Sequence, residues 1–261
     1  MSDRVTLAST TRAEWIKFRS VRSTLTGYLV TVVLTIGLAA LITSAIRTHW
    51  TSTTELRRIT FDPVSSSLGG TLFAQFAVGV IGILFITSEY ASGSIRTTFA
   101  ATPRRGTVMV AKLLVLSATT LVMAEVVVLA AFLLGQRIYQ GVVPTASLGD
   151  GAVLRAVLLG GVYLTLLAIL GFGLGLILRS QSAAISVFTS LLLVLPIIVI
   201  ILPTSWQNTI TKWEPSALGR AMMSPTPALD TFGWATGTLV LCLYVAAVVV
   251  TGIVLVNRRD A

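Results

Sequence analysis

Polar residues in this chain fall between long apolar runs rather than alternating within them, and the runs at 26–46, 71–87, 113–134, 156–178, 183–203 and 234–256 are each about long enough to cross a bilayer. The first, at about 1.5 Å per residue, would span roughly 31 Å, close to the thickness of a hydrocarbon core. Continuous apolar runs, unlike the half-polar stripes of soluble helices, mark segments whose solvent is lipid. The pattern predicts an all-α, polytopic membrane protein with six transmembrane helices in one domain, residues 26–256. A polar N-terminal segment, 1–25, precedes them, and a short tail, 257–261, follows.

The polar intervals predict further elements. Thr11, Arg12, Ala13 and Glu14 fit a Ser/Thr-x-x-Glu capping box. Glu14, Trp15, Lys17, Phe18 and Arg22 would then belong to a short N-terminal helix lying in the membrane interface, rings among the headgroups and cations near anionic lipid. Between the second and third runs, Glu89 and Tyr90 close a span and Gly93 permits a change of direction. Ile95 and Phe99, four residues apart, share one face of a short helix that Pro103 stops. Arg104, Arg105 and Lys112 would anchor the next span at the interface. The expectation is a short helix across one end of the bundle, presenting an apolar ridge to a partner. Pro196 should kink or break the fifth span and Pro203 end it. Residues 204–233 are too many for a simple turn and predict short outer helices between spans 5 and 6. Gly171, Gly173, Gly175, Gly233 and Gly237 have the small-residue spacing of close helix contacts. Gln75 and Glu125 are polar within spans, and each either lines a substrate path or proton site or serves as a polar link between helices.

Composition narrows the function. The 261 residues are 54% hydrophobic and 11% charged, against roughly 25% charged in a soluble domain. The net charge of +9 is scattered between apolar runs, which fits membrane topology better than a nucleic-acid surface. If the N-terminus is cytoplasmic, inner segments hold 12 Lys and Arg against 7 outside, so both termini are expected in the cytoplasm. Arg outnumbers Lys by 16 to 3, which suggests a GC-rich bacterial genome; the expected location is a bacterial cell membrane, crossed several times. One histidine, His49, excludes a His-x-x-x-His zinc site, and one cysteine, Cys242, excludes an intrachain disulfide. No Gly-x-x-x-x-Gly-Lys-Ser/Thr loop occurs, so the chain is expected to be no enzyme and to bind no metal or cofactor; any ATP used would sit on another chain.

The stretch carrying Glu89, Gly93, Ser94, Ile95, Arg96, Thr97, Thr98, Phe99, Pro103, Arg104, Arg105, Ala111 and Lys112 resembles the permease subunits of ABC type-2 exporters, the drug, peptide and polysaccharide exporter class. Ser94 and Phe99 replace that family's usual Thr and Leu. Glu14, Lys17 and Arg22 through Thr24 resemble its N-terminal interfacial helix, and Pro215 to Gly219 its last outer loop. The resemblance implies a pathway for an amphipathic substrate, formed by two permease subunits, as a homodimer or heterodimer. It implies separate cytoplasmic ATPase subunits carrying ATP and Mg, coupled through Glu89, Tyr90, Gly93, Ile95, Arg96, Phe99, Pro103, Arg104 and Arg105. The alternatives are a stand-alone proton-coupled secondary transporter using Glu125 and a non-transporting membrane scaffold.

Overall fold

The computed structural model describes residues 6–20, 22–101, 105–226 and 231–258, without the side chains of residues 20, 22–24 and 101. Every regular element among these residues is helical. Six helical segments are long and apolar enough to cross a membrane: Leu25–Ser52, Thr71–Ala91, Arg105–Tyr139, Gly151–Leu178, Gln181–Ile201 and Trp234–Arg258. The chain is thus an all-α protein with the architecture of a multi-pass membrane protein, as its hydropathy predicts.

The N-terminal helix α1 is Leu7–Ser20. It begins a turn before the expected box. The Thr6 and Ser9 side chains cap each other's backbone N–H at 3.1 and 3.2 Å, whereas the Thr11 hydroxyl donates back to the Leu7 carbonyl. Glu14 is therefore not a capping residue, and its carboxylate is engaged elsewhere.

The first span is α2 (Arg22–Val32) and α3 (Leu38–His49), joined by a π-turn at Val33–Gly37. Two short helices follow, α4 (Glu55–Ile59) and α5 (Pro63–Ser67), which the sequence pattern did not single out. The second span is α6 (Thr71–Ala91), then α7 (Ser94–Ala101), α8 (Arg105–Tyr139) and α9 (Gly151–Leu178). At about 1.5 Å per residue, α8 is roughly 52 Å long, well beyond one hydrocarbon thickness. The fifth span is α10 (Gln181–Thr189) and α11 (Leu195–Ile201), joined by a second π-turn at Ser190–Val194. That turn lies just before Pro196, whose ring cannot donate to the carbonyl four residues back, so the predicted disruption takes the form of a widened turn. Pro203 ends the span and precedes α12 (Thr204–Ile210). α13 (Pro215–Met223) and α14 (Trp234–Arg258) complete the chain.

Helix α9 is the centre, packed on α6, α8 and α14. It can be apolar on every side because other helices cover it. Its crossing with α6 is a backbone contact: a Cβ on Gly82 would run into the Ala168 carbonyl, and one on Gly171 into the Gly79 carbonyl. On another side Gly173 meets Val248 and Val249 of α14. Lipid supplies little hydrophobic drive between apolar helices, so such close approach is what makes association favourable. A Cβ on Gly237 would lie 3.3 Å from the Leu218 carbonyl of α13, whereas one on Gly233 would meet open space, so Gly233 plays no part in this contact.

The long segment before α14 does fold back as expected. Residues Pro215 to Gly219 of α13 are all buried, so its backbone is sheltered by protein rather than lipid. At the same end Gln136 fastens α5 to α8: its amide donates to the Ser67 hydroxyl at 2.9 Å and its oxygen accepts from the Ala146 N–H at 2.7 Å.

Gly171→Leu should separate α6 from α9 and cost about 3 kcal/mol or more, since backbone cannot yield as a side chain can. Gly233→Ala should change stability by under about 0.5 kcal/mol. Thermal unfolding in mild detergent, followed by size-exclusion peak loss, would measure both.

Candidate functional site

Helices α1, α6 and α8 meet at one end of the bundle around a buried cation, with α7 beside them. Lys112, in the first third of α8, is fully buried. Its Nζ lies 2.6 Å from Glu14 Oε2 on α1 and 2.6 Å from Glu89 Oε1 near the end of α6. The Phe85 ring stands 5.1 Å from the same ammonium. Glu14 is also buried, at 2% exposure, and Glu89 is 14% exposed. Lys112 is thus no interface anchor, the place its position after the loop suggested; α8 carries it inward, where only carboxylates at hydrogen-bonding distance make its charge tolerable.

Lys17 completes the cluster from the solvent side, 3.5 Å from Glu14 and 3.6 Å from Glu89. It also donates to the Thr98 hydroxyl of α7 at 3.1 Å. Two ammonium groups face two carboxylates, so the cluster carries no net charge.

Gly93, at φ +69°, makes the reversal between α6 and α7, as expected of a residue without a Cβ. Ile95 and Phe99 do share a face, but it points inward. Ile95 is 3% exposed, and both side chains pack with Phe18, Phe85, Ile86, Val108 and Met109. The apolar ridge expected to face a partner instead seats α7 on its own chain, because that chain supplies the apolar surface the ridge needs. The outer face of α7 is polar or small: Arg96, Thr97 and Ala100 are exposed.

Other residues of the expected set brace this end. The Arg105 guanidinium lies 5.3 Å from the Phe99 ring and donates to the Val256 carbonyl of α14 at 3.3 Å. Tyr90 lies under Arg179, 5.3 Å from ring to guanidinium. Arg179 caps α9 with φ +53°, a left-handed conformation uncommon outside glycine. Phe18 enters the core between Tyr28 and Phe85, at 5.9 and 5.4 Å, while Trp15 and Ile16 remain exposed. α1 is therefore half embedded in the protein. Pro103 and Arg104 lie outside the described residues, as does the Arg22 side chain.

The two polar residues within spans part company. Gln75 of α6 is buried, and its Oε1 accepts from the Tyr163 hydroxyl of α9 and, at 3.4 Å, from Ser216 of α13. It also lines a cavity of about 550 Å³ at the end of the bundle opposite α7, walled by the start of α6 and by α12 and α13. Glu125 of α8 is half-buried against α9, where Gly161 leaves room for it; a Cβ there would lie 2.6 and 2.8 Å from its carboxylate oxygens. Gln75 thus joins three helices and meets a cavity, while Glu125 rests on one glycine.

Sequence reasoning missed Lys112 as the hub and Arg179 as a brace. The signal for the first was present: a lone Lys in VMVAKLLVL, with Glu14 and Glu89 among the few acids of the polar segments expected at the same end. No family model matches the chain, and no curated protein matches it.

Lys112→Met should strand two carboxylates and destabilise the fold by about 3–5 kcal/mol. Lys17→Met, at a site 45% exposed, should cost under about 1 kcal/mol. The triple change Glu14→Gln, Glu89→Gln, Lys112→Met should recover much of the loss. Unfolding midpoints across this series would check the pattern, and equal costs for the two lysines would contradict it.

Proposed function

We propose that the chain is the membrane subunit of an ATP-driven exporter, coupled to separate ATPase subunits through α7 and paired with a second permease subunit. The observation that carries this reading is the buried Lys112 bridge. It ties α1, α6 and α8 together at their common end, and Lys17 extends the tie to α7 through Thr98. A short helix held this way moves with the spans it touches, so a push on its outer face is delivered to α6 and α8 rather than absorbed in a loop. Export then requires only that the nucleotide states of the ATPase favour different arrangements of the spans.

In this reading the α7 end is cytoplasmic, as are both termini, in agreement with the Lys and Arg bias. Contact with the ATPase falls to Arg96, Thr97 and Ala100, with Gly93 and Glu89 setting the helix's attitude. Ile95 and Phe99 act indirectly, by seating α7.

Arg96→Glu with Thr97→Glu should therefore abolish copurification of an ATPase from the native cells while leaving unfolding of the chain unchanged. Ile95→Asp should lower stability first and coupling as a result. Mild-detergent pull-down with cross-linking, beside unfolding curves, separates the two. Absence of any ATPase from the wild-type preparation, together with proton-dependent flux in vesicles, would replace this reading with secondary transport through Glu125.

A further inference from the structure

The cavity at the end opposite α7 has a distinctive chemistry. Its charged groups are cations, its other polar groups are hydroxyls and amides, and no carboxylate lines it among the described residues. Gln75 sits at its inner wall, 1% exposed, with Oε1 already taken by Tyr163 and Ser216 and with Nε2 left without a protein partner. A buried amide N–H without an acceptor is unfavourable, and a ligand oxygen would relieve that cost. Lys212 and Arg220 also line the cavity, from the segments that close it. Lys212 lies 5.8 Å from the Phe232 ring, and no carboxylate comes within 4 Å of either cation among the described residues. Glu214, which precedes α13, is buried, and burial pushes its carboxyl above the usual range despite the opposing pull of Arg220.

The rest of the wall mixes hydroxyls and the amides of Gln207 and Asn208 with apolar side chains. Leu68 and Met223 are buried in it, and Leu72, at the first turn of α6, is about half exposed. The start of a spanning helix lies near the membrane interface, so the cavity places two cations at headgroup level beside an apolar edge that faces acyl chains. Its volume is within the range of small-molecule sites.

We propose that this cavity binds an anionic amphiphile from the bilayer, with its carboxylate or phosphate on Lys212 and Arg220, a second oxygen on the Gln75 amide, and its chain leaving past Leu72. The site is complete within one chain. It does not depend on the exporter reading.

The test uses the full chain, purified without any ATPase and placed in phosphatidylcholine nanodiscs, so its failure says nothing about ATPase coupling. Binding of labelled oleate, of phosphatidylglycerol and of uncharged oleyl alcohol is measured at equilibrium. One oleate or phosphatidylglycerol per chain is expected, bound about tenfold or more tightly than the alcohol. Lys212→Gln with Arg220→Gln should weaken binding at least about tenfold. Lys212→Arg with Arg220→Lys should largely preserve it, as should Arg57→Gln with Arg58→Gln, which removes exposed charge elsewhere. Gln75→Leu should weaken binding too, judged only where its elution profile matches wild type. Preference for oleate identifies a fatty acid, and preference for phosphatidylglycerol a phospholipid. Equal binding of the alcohol, or full binding by the Lys212 and Arg220 double variant, overturns the proposal.

Discussion

A lysine buried among apolar helices dictates the arrangement around it. Lys112 is held on α8 by the same apolar run that takes α8 through the bundle, and nothing local can satisfy its ammonium. The two carboxylates that do so come from 98 and 23 residues away, on α1 and α6. Their geometry fixes where the N-terminal helix lies and where the second span ends. Once those are fixed, Gly93 turns α7 back across the same end, and Ile95 and Phe99 find their apolar seat. Removing the cation would therefore loosen several helices at once, since an unpaired buried carboxylate is a worse neighbour than a missing contact.

At the opposite end two buried amides do much of the fastening. Gln136 fastens α5 to α8 through amide hydrogen bonds, and Gln75 joins α6, α9 and α13. Between the two ends runs α9, whose glycines bring it into backbone contact with α6. That contact transmits displacement well because glycine-to-carbonyl contacts leave no flexible side chain to take up the movement. The molecule thus has an ionic clamp at one end, an amide-lined cavity at the other and a stiff crossing between them.

The six spans were legible because lipid imposes one rule on every residue of a span, and a run of apolar letters is its direct record. The helix between Gly93 and Pro103 was legible too, since a turn residue and a four-residue spacing are local signals. The facing of that helix was not. Ile95 and Phe99 look the same in sequence whether their apolar neighbours belong to a partner or to Phe18 and Phe85 of the same chain. Glu14 was misread for a related reason: a local capping pattern competed with a pairing 98 residues distant, and sequence spacing displays only the first. Lys112 was visible as an anomaly, but its partners are a property of tertiary contact. The π-turns at Val33–Gly37 and Ser190–Val194 had one local cue, Pro196, and it marked only the second.

The neutrality of the Lys112 cluster has a bearing on voltage. A single charge carried across a membrane potential gains or loses about 2.3 kcal/mol per 100 mV. Two ammonium groups and two carboxylates, linked by N–O distances of 2.6 to 3.6 Å, travel as a unit with zero net charge. Carrying the intact cluster along therefore adds almost no electrical work to a movement of α1, α6 and α8, and only their other charges, such as Arg105 and Arg137 of α8, couple that movement to the membrane potential.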